Sequence, residues 1–414
     1  MSSPIVADDK LVMTAFDGGK LYTIAYDRTD GREIWRTEAP AKRIEGFHKT
    51  EGSPAASTPA TDGKLIVSYF GSCGLLCYDL TGKELWKVEM PPAELFGEFG
   101  SGVSPIIAED MVILVRDQKK NSRIYAFDLA TGAIRWEHDR KSPLSYCTPI
   151  VWNTSEEQQI VAAGHARIVG YDLKTGTEKW SASNVPSGCC SSPVIAGNIL
   201  FFAGGSSGES EVIEPQIPSF DSMLKDPDKD KDGALSRDEA EKASEGFFDN
   251  QDANQDGRIT RDEWEAIIEL YSEGKNSAFA LRLGGSGDVT ESHVLWKQTK
   301  GLPFVPSAIA YRGEYIMVKD GGIVSAYDAT TGVRTFQGRV AQPGTYYASP
   351  VAANGHVYLT SLEGALTVLK VDAGKIVVVG SAKLGERTAA TPAIADDTLF
   401  IRTEQYLYAF AALK

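Results

Sequence analysis

Two twelve-residue stretches carry the residues best placed to do chemistry. In the first, Asp228, Asp230, Asp232, the carbonyl of Ala234, Ser236 and Glu239 follow one another at alternate positions and then at the twelfth. In the second, Asp252, Asn254, Asp256, the carbonyl of Arg258, Thr260 and Glu263 repeat the same spacing. Ca²⁺ is a hard cation that takes roughly six to eight oxygens. Three short acidic or amide side chains, one backbone carbonyl and a bidentate Glu supply most of them. Ser236 and Thr260 would act through a water, and Gly233 and Gly257 make the bend that wraps the chain around the ion. Two calcium ions are therefore the expected cofactors.

These loops need helices to aim them, which is the EF-hand arrangement. They begin only 24 residues apart, so the helix leaving the first (Arg237 to about Phe248) must nearly serve as the helix entering the second. Phe220, Met223 and Leu224 lie before the first loop. Trp264, Ile267, Ile268 and Tyr271 follow the second at the spacing of one helical face. Together they should form a small core, with Leu235 and Ile259 pairing as a short ribbon between the loops. Lys and Arg between the ligands point to moderate affinity and a structural role.

The acidity of the chain belongs to this segment. Residues 206–275 hold 20 acidic and 8 basic side chains, a local balance of −12 within a formal −14 for all 414 residues. The remainder is close to neutral, which argues against nucleic acid as a partner, since phosphate binding needs a basic face. No stretch approaches the roughly 18 uninterrupted apolar residues of a membrane-spanning helix, and Met1-Ser2-Ser3-Pro4 leads into a strand with no signal peptide before it.

Outside the acidic segment the chain repeats itself. Asp79-Leu80-Thr81-Gly82 followed by Trp86 returns as Asp27 to Gly31 with Trp35, Asp128 to Gly132 with Trp136, and Asp172 to Gly176 with Trp180. Asp328 to Gly332 with Phe336 is a weaker copy, and Asp372-Ala373-Gly374 a frayed one. Asp and Gly are hairpin residues, Asp by bonding its own backbone and Gly by supplying positive φ. A second marker opens each unit: Ser3-Pro4, Thr58-Pro59, Ser104-Pro105, Thr148-Pro149, Ser192-Pro193, a displaced Pro306-Ser307, Ser349-Pro350 and Thr391-Pro392. Four strands per unit and eight openings predict an all-β fold, an eight-bladed β-propeller of four-stranded antiparallel blades. Each Trp should wedge between neighbouring blades; Trp296 belongs to blade five.

Blade five is interrupted by the EF-hand insertion. The organisation is residues 1–205 (blades one to five, first part), 206–275 (the insertion) and 276–414 (the rest of blade five to blade eight). The last unit lacks a Trp strand, so a strand lying upstream of Met1 is expected to close blade eight. Cys73, Cys77, Cys147, Cys189 and Cys190 give an odd count without zinc spacing; Cys73 and Cys77 read as packing residues.

The Ser/Thr-Pro openings, the Tyr/Phe-Asp-x-x-Thr-Gly-x-x-x-Trp closings and the ends Gly385-Glu386-Arg387-Thr388 and Tyr406-Leu407-Tyr408-Ala409-Phe410 resemble the pyrroloquinoline-quinone-like β-propeller repeat family. That family includes the propeller of the bacterial outer-membrane β-barrel assembly lipoprotein and many exported proteins of environmental bacteria. The resemblance implies an exported, periplasmic or cell-envelope location. It also admits a quinoprotein-like oxidoreductase as the rival, since some quinoprotein dehydrogenases carry adjacent disulfide-bonded cysteines beside pyrroloquinoline quinone. Cys189-Cys190 invites that comparison; two small apolar residues at a strand start are the plain alternative.

Residues just before the openings should ring one mouth of the central channel. They are His48 and Glu51, Phe96 and Glu98, Tyr146 and Cys147, Cys189 and Cys190, Phe304, Tyr346 and Tyr347, and Glu386 and Arg387. Aromatic rings with a few charges on a concave surface make a binding site, although Tyr346 and Tyr347 could equally pack between blades and Arg387 pair with Glu386 or Glu98. No Ser-His-Asp order, hydrolase metal motif or phosphate loop appears, and the five histidines (His48, His138, His165, His293, His356) fall in different repeats, so no catalytic residue is assigned. The expectation is a monomeric, non-catalytic calcium-binding scaffold that presents a face to a protein, peptide or glycan.

Overall fold

The computed structural model describes residues 1–48, 51–96, 99–153, 157–205, 218–240, 248–252, 256–282, 284–340, 342–372 and 374–411. Eight antiparallel sheets follow one another along the chain in sequence order, as the repeat predicts for an eight-bladed propeller. Blades one to seven each have four consecutive strands in simple up-and-down order, with one added strand at the edge of blade four, and blade eight (Ala393–Ala395, Thr398–Arg402, Leu407–Ala411) has three. Core clusters run across the gaps between consecutive blades. Ile66 and Phe70 of blade two pack with Val12 and Leu21 of blade one, and Leu399 and Ile401 of blade eight pack with Leu366 of blade seven.

The Ser/Thr of each opening has a role beyond starting a strand. Its backbone N–H donates to the hydroxyl of the equivalent residue in the next blade: Ser3 to Thr58, Thr58 to Ser104, Ser104 to Thr148 and Thr148 to Ser192. The series continues from Ser192 to Ser307, Ser307 to Ser349, Ser349 to Thr391 and finally Thr391 back to Ser3, every bond between 2.9 and 3.1 Å. The opening that looked displaced is therefore aligned through Ser307, which keeps the hydroxyl and loses only the following Pro. Elsewhere that Pro holds the preceding residue in an extended conformation, which leaves its N–H and its Oγ directed to opposite neighbours.

The outer layer repeats as regularly. The indole N–H of Trp35 donates to the Leu80 carbonyl, Trp86 to Leu129, Trp136 to Leu173 and Trp296 to Ala329, always in the hairpin of the following blade. The ring then covers that hairpin's glycine. A Cβ on Gly82 would stand 2.5 Å from Trp35, and one on Gly132 2.7 Å from Trp86, while both glycines have positive φ. Across its own blade each ring faces a small residue at a β-bulge, as in Ala25↔Trp35, Cys77↔Trp86, Ala126↔Trp136 and Ala280↔Trp296. Cys77 is thus a packing residue beneath an indole.

Trp180 is buried in the core shared by blades four and five, as the wedge predicts, but its hydrogen bond departs from the series. Blade five has no Asp-x-x-Thr-Gly hairpin to receive it, so its indole N–H bonds the Gln159 side chain at 2.8 Å and its ring meets Trp152 edge-on. The strand Gly287–Asp288 runs parallel to it and makes blade four five-stranded.

The seam between blades eight and one is polar. Arg402 donates to the Ser2 carbonyl, the Ser2 hydroxyl and the Thr14 carbonyl, and Arg28 pairs with Asp396 at 2.8 Å. Blade five is continuous across the acidic segment, since Ile199–Gly204 pairs in register with Ser277–Arg282. Between those strands lie four short helices, α1 (Phe220–Leu224), α2 (Arg237–Ala240), α3 (Phe248–Gln251) and α4 (Arg261–Ser272). The sequence expects one linking helix from Arg237 to about Phe248; α2 lies at its start and α3 begins at Phe248, and residues 241–247 between them lie outside the described residues.

Breaking one link of the inner circle tests its worth. Thr148→Val keeps the shape but strands a backbone N–H, and should lower the free energy of unfolding by about 1–3 kcal/mol, while Thr148→Ser should stay within about 0.5 kcal/mol of the parent. Urea denaturation of both variants measures this; equal loss in the two would contradict a role for the hydroxyl.

Candidate functional site: the channel mouth and the acidic loops

Hydrogen bonds run within both acidic loops. Asp228, Asp230 and Asp232 bring one oxygen each within 4.8 Å of the others. The Asp228 carboxylate accepts the Gly233 N–H at 3.2 Å, and its other oxygen, Oδ1, is buried with no hydrogen bond. Glu239 accepts from the N–H and hydroxyl of Ser236 and from the Lys229 N–H, which turn it into the loop. The Ser236 bonds, its hydroxyl first, hold this carboxyl down at about 2.

The second loop follows suit. Asp252 accepts from Asp256 and Gly257, Thr260 and Glu263 form a reciprocal capping box at the start of α4, and Asn254 lies outside the described residues. Leu235 pairs with Ile259 between the loops. Arg258 of the second loop forms an ion pair with Asp232 of the first.

Beneath the loops, Phe220, Met223, Leu235, Phe248, Ile259 and Trp264 form a buried cluster, with Leu224 and Ile268 against it. Tyr271 differs from the expectation. The last turn of α4 sits on the propeller, where the Tyr271 carbonyl accepts from Ser187 Oγ at 3.0 Å. Ser187 Oγ also accepts the Gly274 N–H at 2.8 Å, and Lys275 N–H donates to the Val185 carbonyl. His165 bridges the Ser187 carbonyl (3.0 Å) and the Glu273 carboxylate (2.8 Å). A cavity of about 330 Å³ opens beside this junction, lined by Lys141, His165, Arg167, Asn184, Glu273 and Lys275. Sequence reasoning passed over His165 because its partner lies 108 residues away.

The mouth candidates separate into buried and accessible groups. Tyr346 is 1 % exposed, bonds the Gln342 carbonyl and packs in the core shared by blades six and seven. Arg387 pairs with Glu404 at 3.6 Å, and Glu386 accepts from Thr403 and Gln405. Cys189 is buried with its sulfur toward Cys147, whereas Cys190 is half-buried. Tyr146 donates to the Phe96 carbonyl at 2.8 Å. Glu98 lies outside the described residues.

Phe47 and Phe99 are joined by an isolated β-bridge that ties the loop after blade one to the loop after blade two. The rings of Phe16, Phe47, Phe99 and Tyr146, with His48 against Phe99, form a near-continuous aromatic shelf. Tyr347 is half-buried; burial first, then Glu51, Asp320 and Cys190, raise its phenol, and Arg387 opposes them.

Glu45, which no motif announces, is braced underneath. It is 3 % exposed, and its two oxygens accept from the Ser101 N–H (3.0 Å) and hydroxyl (2.7 Å). Burial pushes its carboxyl up to about 7 against those bonds. Gly71 admits it, because a Cβ there would lie 2.0 Å from its oxygen.

The sequence matches the family described as Outer membrane protein assembly factor BamB over residues 2–223 and 287–413. No curated protein matches it. Among solved structures it is similar to BamB from Moraxella catarrhalis, at 12% identity and a TM-score of 0.60, with 99% of this chain and 92% of that one covered. It is similar to the computationally designed Ika8 protein, at 11% identity and TM-score 0.61 over 99% and 96% of the two chains. A europium-containing methanol dehydrogenase is similar at 12% identity and TM-score 0.55, over 96% and 81%. At these identities the structural likeness is one of fold.

A carboxyl raised to about 7 contributes stability that is fully present below the unfolded value, near 4.3, and lost as pH rises through 7. Glu45→Gln keeps an oxygen for the Ser101 N–H. It should raise Tm at pH 8 relative to the parent and change it little at pH 4, as read by thermal scans at both pH values.

Proposed function

The chain belongs to the outer membrane protein assembly factor BamB family, and from that premise we propose that it is a non-catalytic calcium-binding β-propeller of the bacterial cell envelope. Its channel mouth binds a protein, peptide or glycan segment. The observation that carries this reading is the aromatic shelf built by residues of blade one and of the loops after blades one, two and three, with half-buried Tyr347 as a further aromatic candidate. Partly exposed aromatic rings beside a few charged groups suit an extended chain with aromatic or apolar groups. The charged mouth residues Glu386 and Arg387 are engaged with neighbouring loop residues, which favours binding over proton transfer.

The acidic segment is read as an EF-hand pair holding two Ca²⁺ ions. Its support is the cluster of Asp228, Asp230 and Asp232 together with the buried, unpartnered Oδ1 of Asp228, an oxygen that a cation would satisfy. Ala234 and Glu239 would complete that site; Asp252, Asp256, Arg258 and Glu263, with Asn254, would hold the second. Arg258 must give up Asp232 when the ion enters, which lowers affinity and suits a structural site. The acidic loops are peripheral, so they do not serve a quinone in the channel.

Titration calorimetry with Ca²⁺ should show two sites in the parent and none in the Glu239→Gln, Glu263→Gln double variant. At free Ca²⁺ about 100 times Kd, each occupied site should add about 2.7 kcal/mol to the stability of the unit it organises. No heat in the parent would refute the ion sites. For the mouth, Tyr347→Ala should abolish binding on a peptide and glycan array while leaving Tm within about 2 °C. Dye-linked alcohol or sugar oxidation after reconstitution with pyrroloquinoline quinone and Ca²⁺ would instead establish the quinoprotein reading.

A further inference from the structure

We propose that Cys147 and Cys189 form a disulfide that staples blade four to blade five beneath the channel mouth. The two residues lie 42 positions apart in adjacent repeats, and neither sequence spacing nor the adjacent pair Cys189-Cys190 points to them. In the fold their sulfurs are 2.9 Å apart, closer than two thiols rest at ordinary contact. Both side chains are 1 % exposed. The backbone between them is already tied, since the Tyr146 N–H donates to the Cys189 carbonyl at 2.9 Å. The chain thus holds the two cysteines side by side before any bond exists. The Cys190 sulfur bonds the Gly188 carbonyl at 3.7 Å, while the Cys189 sulfur meets Cys147 and the Ser191 carbonyl, so the close pair among the described residues is Cys147 with Cys189.

The staple would matter because of what stands on it. Ser187, two residues before Cys189, receives the end of α4, and Thr148, the residue after Cys147, is a link in the inner circle of hydroxyls. A covalent tie between Cys147 and Cys189 therefore joins the platform of the acidic segment to the innermost layer of the propeller.

The chemistry is thiol–disulfide exchange with a small-molecule or protein disulfide as oxidant. One cysteine, as thiolate, attacks the oxidant's S–S bond and expels half of it as a thiol. The second cysteine then attacks the mixed disulfide, closes the Cys147–Cys189 bond and expels the other half. The two cysteines lose two electrons and two protons, and the oxidant gains them. Burial raises the Cys189 thiol well above its ordinary value, so exchange belongs to the folding chain and not to the finished barrel. That the bond persists in the cell rests on the envelope location, where disulfides survive; that it forms at all rests only on the geometry.

The experiment separates the two. The full chain, unfolded and reduced, is refolded in a buffer of oxidised and reduced glutathione, alkylated, digested without reductant and mapped by mass spectrometry. A peptide pair linking Cys147 to Cys189 is expected, with Cys73, Cys77 and Cys190 alkylated. Reductant should then lower Tm by several degrees in the parent and in Cys190→Ser, and by nothing in Cys147→Ser. A Cys189–Cys190 link, or five alkylated cysteines, would overturn the proposal wherever the cell places the protein. In-cell alkylation before lysis reports separately on location. A bond formed in vitro but absent in cells would count against the envelope reading and leave the staple standing.

Discussion

The closed circle of N–H···Oγ bonds is the constraint on which the rest of the structure depends. Eight extended strands converge on an axis, and at the axis there is no room for a sheet edge to find another strand. Each innermost N–H would be orphaned there, at a cost of about 1–3 kcal/mol apiece. A hydroxyl offered by the next blade satisfies it, and the same residue's N–H hands the obligation onward. The bonds can close only if the last residue reaches the first, as Thr391 does with Ser3. Blade number is thereby tied to the count of Ser/Thr openings.

Away from the axis the gaps between blades widen, and the filling changes from a hydroxyl to an indole. The outer strands lean Trp on the following hairpin through both a hydrogen bond and a ring-on-glycine contact. Two departures follow from this logic. Trp180 has no hairpin to lean on, so it turns to Gln159 and Trp152, and an extra strand covers its edge. Gly31 follows the three-stranded blade eight and has no ring against it. There the seam is held by Arg402 and by the Arg28–Asp396 pair.

What could be read in advance follows from how far apart the cooperating residues are. The ligand spacing of each acidic loop is complete within twelve residues. The Asp-x-x-Thr-Gly hairpin is equally local, with Asp79 accepting from Thr81 and Lys83. Blade count came from a period that any copy of the unit displays. The hydroxyl of each opening was visible as a marker, but its purpose was not, because donor and acceptor stand in different units. The small residue beneath each Trp was written two places before each hairpin Asp and went unread, since its partner is fixed only by the bulge. Glu45 with Ser101, His165 with Glu273, and Cys147 with Cys189 are each brought together by the closed circle.

These long-range pairs are not scattered. His165, Ser187 and the Tyr271–Lys275 turn lie at one junction, and the chain from Ser187 runs through Gly188 directly to Cys189 and Cys190 at the mouth. α4 is the only described helix of the acidic segment long enough to act as a lever, with twelve residues. Its first turn is capped by the same Thr260 and Glu263 that the second loop assigns to an ion. Its last turn is bolted to Ser187. α4, about 18 Å long, therefore links the second acidic loop directly to Ser187 of the propeller.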